Sequence, residues 1–152
     1  MTGCSGYAVV PASYCHVIPT NIMNNEFILI NPMPPEDLFN AICEISPDFK
    51  NYWEKVDNYF RNNDGLGTIH GIFAEYSGFI KANFENIEER NLITLFNFLE
   101  KCVNSDPNSE SGISNAACTC FLENLAGEGE LSKSILKYLG TKSKEYFDKY
   151  NS

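Results

Sequence analysis

The sequence predicts an all-α domain of six or seven helices packed as antiparallel hairpins, and three observations predict it. Apolar residues recur at i, i+3, i+4 and i+7 in stretch after stretch. Clusters of Ser, Thr, Asp, Asn, Gly and Pro stand between those stretches, where helices start and stop. Only Phe27 to Ile30 reads as extended, and a single strand cannot build a sheet. The chain has 152 residues, 43% hydrophobic and 20% charged, within the range of one soluble domain that buries its core without metal or disulfide staples.

Each element has its own local reason. Pro34 and Pro35 precede Glu36 and Asp37, an acidic first turn that suits a helix over about 35–45, with Leu38, Phe39, Ile42 and Ile45 on one face. Ser46, Pro47 and Asp48 open a second helix carrying Phe49, Tyr52, Trp53, Val56 and Phe60, expected to end near Asn62. A turn from Asn62 to Gly67 follows, after which Thr68 caps a third helix holding Ile69, Ile72, Phe73, Tyr76 and Ile80 to about Ala82. Asn86 with Glu89 three residues on reads as a capping box for a fourth helix with Leu92, Leu95, Phe96, Leu99 and Val103.

The stretch Asn104 to Gly112 has loop composition. From Ser111 or Ile113 a fifth helix carries Ala116, Ala117, Cys120, Phe121 and Leu125, stopped by Gly127 and Gly129. Leu131, Ile135, Tyr138 and Leu139 continue the pattern to Gly140, read as a C-cap, and Thr141 as the cap of a last helix with Tyr146, Phe147 and Tyr150. Short connections favour antiparallel neighbours, for which a HEAT-like stack is one arrangement, although no repeat of 40 to 47 residues is visible.

Residues 1–22 contain no charged residue and are interrupted by Gly3, Gly6, Pro11 and Pro19. They lack the basic start and unbroken apolar run of a secretory signal, and are expected to be a poorly ordered leader to a single helical domain over 23–152. No window is apolar enough for a transmembrane span. Six cysteines without a CxxC, beside only two histidines, fit reduced thiols in a cytoplasmic protein better than disulfides or zinc ligands.

The net charge of −9 argues against nucleic acid or an anionic membrane as the partner, and favours a basic one. The acids crowd into residues 26–130, which carry −12, whereas residues 131–152 carry +3. Nucleotide, metal-protease, EF-hand and serine-hydrolase signatures are missing, so no cofactor, metal or catalytic residue is expected. His70 with Cys102, Cys118 or Cys120 is the one pairing that could serve as base and nucleophile, and it ranks behind two binding readings.

The run Asn115 to Leu125, followed by Leu139, Gly140, Lys142, Ser143 and Tyr146, resembles the C-terminal signature of a group of small, acidic, largely uncharacterised bacterial helical proteins. His70, Phe73, Phe79, Ile80, Leu95, Phe96 and Phe98 are compatible with it, and the resemblance covers about 38–150. Some of that group resemble immunity proteins of polymorphic or contact-dependent toxin systems. The resemblance therefore implies a protein that binds and neutralises a cognate toxin domain, of basic nuclease type. A helical adaptor for a peptide or partner helix is the alternative. Acids at helix ends and loops project beyond the packed layers, which makes Asp64, Glu85, Glu88, Glu89, Asp106 and Glu110 the expected partner-binding residues.

Overall fold

The computed structural model describes residues 33–56, 66–105 and 112–151. Every regular element among them is helical. Helix α1 spans Pro35–Ile45, α2 Phe49–Lys55, α3 Ile69–Asn83 and α4 Glu89–Ser105, with a 3₁₀ turn Phe84–Asn86 between the last two. Helix α5 covers 113–125 continuously, α-helical over Ile113–Ala116, wound as a π-helix over Ala117–Leu122 and α-helical again over Glu123–Leu125. Helix α6 spans Glu130–Ile135 and runs into a 3₁₀ turn Leu136–Tyr138; α7 spans Thr141–Asp148. None of the described helices is long and apolar enough to cross a membrane.

The boundaries follow local chemistry in most places. Pro35 occupies the first turn of α1, where a missing N–H costs nothing, with Glu36 and Asp37 beside it. Thr68 caps α3 by accepting from the N–H of Gly71 at 3.1 Å. Gly127 and Gly129, at φ 77° and 61°, make the left-handed turns that separate α5 from α6.

Three boundaries differ from expectation. Helix α2 closes at Lys55, because Val56 is already extended; residues 57–65 lie outside the described set, as do the leader and Phe27 to Ile30. The capping box on Asn86 does not form, since Asn86 sits inside the 3₁₀ turn. The carbonyl of Glu88 accepts instead from the N–H groups of Asn91 and Leu92, starting α4 two residues later. Gly140 is not a C-cap: it has extended backbone and precedes α7 directly, while Thr141 is the first helical residue rather than the cap.

The architecture centres on α5, which lies between α3 and α4. Against α4 it makes the expected antiparallel hairpin: Ser114 Oγ donates to the Val103 carbonyl at 2.7 Å near one end, and Phe96 meets Phe121 further along. Against α3 it runs parallel, with His70 opposite Asn115 and Ser77 opposite Asn124. Phe121 is fully buried and packs on Phe73, Tyr76 and Phe96 with ring centroids 6.2, 5.4 and 6.4 Å away. One ring therefore joins the three longest helices, and edge-to-face contacts of this kind add to its burial.

A second aromatic layer ties α1 and α2 to α3. Phe49 lies 5.0 Å from Tyr76 and 5.7 Å from Phe79, and Phe39 packs edge-on against Trp53 at 5.4 Å. Tyr76 is fully buried, so its hydroxyl needs a partner, and Ser46 Oγ supplies one at 2.7 Å.

Candidate functional site

At the end of α3 the chain must turn sharply to enter α4. Asn83 Nδ2 donates to the Phe79 carbonyl at 2.8 Å, the 3₁₀ turn follows, and Ile87 extends the backbone before Glu88. The result places Glu85, Glu88 and Glu89 in five consecutive positions, all exposed, with Glu88 and Glu89 at a helix start whose unpaired N–H groups favour negative charge. The opposite wall comes from α6 and the turn after it. Tyr138 is held flat against Phe96, centroids 5.7 Å apart and planes 10° from parallel, and edge-on to Phe84 at 6.4 Å.

Between the walls lies an open groove of about 460 Å³ lined by Phe84, Glu85, Ile87, Glu89, Leu92, Lys133, Ser134, Lys137 and Tyr138. Its lining mixes the apolar side chains of Phe84, Ile87 and Leu92 with charges of opposite sign on the two walls. Glu89 Oε1 accepts from Lys137 Nζ at 3.0 Å and from the Tyr138 hydroxyl at 3.3 Å, which bridges the two walls. The hydrogen bond from Lys137, then its charge, then the Tyr138 hydroxyl hold the Glu89 carboxyl below its ordinary value. Lys137 Nζ also lies 4.7 Å from the Tyr138 ring centre. Lys133 is drawn to Glu130 on its own helix at 2.7 Å. Among the described residues Glu85 enters no ion pair, so it is the rim acid left to meet an incoming cation.

Of the six expected partner-binding acids, Glu85 and Glu89 line this groove. Glu88 stands outside the lining and pairs with Arg90 at 2.7 Å. Asp64, Asp106 and Glu110 lie outside the described residues. The lysine and tyrosine wall was not anticipated. Its sequence signal was the basic tail after residue 131, which periodicity could not aim at the start of α4.

The hydrogen bond of His70 is to an amide and not to a thiol. The Nε2–H of His70 donates to Asn115 Oδ1 at 3.0 Å. Burial pushes the Cys102 thiol strongly up. It also pushes Cys118 up to about 11, with Lys149 opposing and Glu100 adding, and Cys43 up to about 11 against the charge of Lys50. A thiol kept protonated at neutral pH is a weak nucleophile. Cys43, Cys102, Cys118 and Cys120 are all free, and no group of three or more His, Cys, Asp or Glu among the described residues could hold a metal ion.

No curated protein and no solved structure matches the chain. A family described as a domain of unknown function, DUF7674, matches residues 39–152, which takes in every helix from α2 to α7 and both walls of the groove. The chain belongs to the DUF7674 family.

Proposed function

We propose that this chain is a protein-binding domain that neutralises a cognate bacterial toxin of basic, nuclease type, and that the groove between α4 and α6 is where the partner is held. The observation that carries the reading is the groove itself, in which Phe84, Ile87 and Leu92 lie beside the carboxylate of Glu85, an acid with no ion pair among the described residues. It sits on a chain of net charge −9, which would speed association with a basic partner by electrostatic steering. The reading asks for no cofactor and no catalytic group, since inhibition needs only a surface. Its compartment is the bacterial cytoplasm, where the four described thiols stay reduced.

The apolar and aromatic side chains of Phe84, Ile87, Leu92 and Tyr138 in the groove also suit a second reading, an adaptor that seats one face of an amphipathic helix. Co-expression with the product of the adjacent gene, followed by pull-down and a toxicity assay, separates the two. Capture together with rescue of growth supports neutralisation. Capture of a non-toxic regulatory protein supports the adaptor, and no capture removes the toxin reading.

A further inference from the structure

Helices α3 and α5 run parallel and are joined by two side-chain bridges whose spacing does not match, with a third running from α3 to the turn after α5. His70 reaches Asn115, 45 positions on. Asn124 Nδ2 donates to Ser77 Oγ at 3.2 Å and Lys81 Nζ meets Glu128 Oε1 at 2.8 Å, each 47 positions apart. Between the first two bridges α3 advances by seven residues and α5 by nine. In an α-helix nine residues turn through about two and a half revolutions, which would put Asn115 and Asn124 on opposite faces. Both nevertheless face α3.

The π winding of Ala117–Leu122 takes up much of the mismatch. Here the N–H of Glu123 bonds to the Cys118 carbonyl, five residues back, and such a helix turns through only roughly 80–90° per residue. Six residues wound this way, with three α-helical steps, bring the total to about two and a quarter turns, so Asn124 lies roughly a quarter turn from Asn115 instead of opposite it. Side chains support the loosened backbone: Thr119 Oγ1 donates to the Asn115 carbonyl at 2.9 Å and Asn124 Nδ2 to the Cys120 carbonyl at 2.6 Å.

We infer that α5 contains one residue more than its packing needs, and that the π segment is a register device that absorbs it. The buried positions carry the same message. Ile113, Ala117, Phe121, Leu122 and Leu125 are all buried to within 1%. With one residue removed between Ala117 and Phe121, they fall at i, i+4, i+7, i+8 and i+11, the stripe of an ordinary amphipathic α-helix. The device holds the chain after Leu122 in place: Glu123 under the Tyr146 hydroxyl at 3.1 Å, Glu128 on Lys81, and α6 as the second wall of the groove.

The test deletes single residues from the full chain and follows thermal unfolding and backbone amide NMR spectra. Deleting Thr119, or separately Cys120, converts the segment to plain α-helix with its flanks in register. The better of the two variants keeps cooperative unfolding with Tm within a few degrees of the parent, and keeps the amide positions of α3 and α7. Deleting the exposed Asn97 from the middle of α4, which has no π segment to absorb the change, abolishes cooperative unfolding. Loss of cooperativity in both α5 deletions, as in the α4 deletion, overturns the inference; so does retention of i→i+5 bonding after the shortening.

Discussion

The carboxylate of Glu100 on α4 occupies the space that a Cβ on Gly140 would need. It accepts from the N–H of Lys142 at 2.8 Å and from the N–H and Oγ of Ser143 at 2.9 and 2.6 Å. Those are orphan donors of the first turn of α7, so a side chain some 40 positions upstream supplies the cap that the local sequence lacks. Glycine at position 140 is required by this close approach and not by its backbone angles, which are ordinary extended values.

Gly140→Ala should therefore destabilise the fold by about 1–3 kcal/mol, because the added methyl displaces the capping carboxylate. Glu100→Ala on its own should cost about 1 kcal/mol as a lost cap. Urea unfolding checks both. The two effects should be strongly non-additive, since once Glu100 is gone the methyl has nothing to displace. A double variant whose loss equals the sum of the singles would contradict the shared mechanism.

Glu100 also makes a pH prediction. Partial burial raises its pKa, but the hydrogen bonds from Ser143, Lys142 and Asn104 together outweigh burial and leave it below the ordinary 4.5. A carboxyl whose pKa is depressed in the folded state contributes stability above its unfolded pKa, and loses it as pH falls through the folded value. The stability difference between the parent and Glu100→Gln should be constant at neutral pH and shrink as pH drops below 4.5. A difference that stays constant down to acid unfolding would show that the charge is irrelevant to the cap.

These relationships also show what the sequence could reveal. The starts of α1 and α3 were legible because Pro35 and Thr68 act on their own first turns. Gly140 was misread because a glycine before one helix and after another looks the same locally, and the deciding group, Glu100, belongs to α4. The π segment escaped notice because Ala117, Phe121 and Leu125 at intervals of four also fit an α-helix. Its trace in the burial pattern is Cys120, only half-buried where an α-helical stripe places it inside, while Cys118 and Leu122 are buried. Half of the groove was readable, the acidic start of α4. The other half arrives through long-range packing of Tyr138 on Phe96, to which helical periodicity is blind.

Phe121→Ala should be the most damaging core substitution, costing about 3–5 kcal/mol. The ring is fully buried and contacts aromatic side chains on both α3 and α4, so its removal opens a space that no single neighbour can fill. Phe121→Leu should recover much of the loss. Equal losses for the two variants in denaturant titrations would show that the cavity is not what matters.

The buried pair of Ser46 and Tyr76 joins the end of α1 to the middle of α3. Burial first, tempered by the Ser46 hydrogen bond and increased by Cys43, raises the Tyr76 phenol far above its ordinary value, so it stays neutral. Tyr76→Phe removes one partner and strands the Ser46 hydroxyl, at a cost of about 1–3 kcal/mol. Adding Ser46→Ala removes the stranded group, and the double variant should be no worse than Tyr76→Phe alone. A further loss in the double variant, measured by urea unfolding, would mean that Ser46 has another role.

The partner surface gives the prediction closest to function. Replacing Glu85, Glu88 and Glu89 together by Gln removes three exposed charges, one of which bridges the groove walls through Lys137. Folding should be nearly unchanged, because exposed ion pairs are screened and contribute little. Association with a basic partner should slow, and the slope of its rate against ionic strength should flatten, because steering acts on encounter more than on the final contacts. Substituting the tyrosine of the opposite wall should do the reverse. Tyr138→Ala empties one side of the groove, and a lost apolar anchor speeds dissociation while leaving the salt dependence of association intact. Stopped-flow rates at several salt concentrations separate the two effects. If the triple variant associates as fast as the parent at every salt concentration, the acidic rim takes no part in recognition. If Tyr138→Ala leaves dissociation unchanged, the partner docks on some other face.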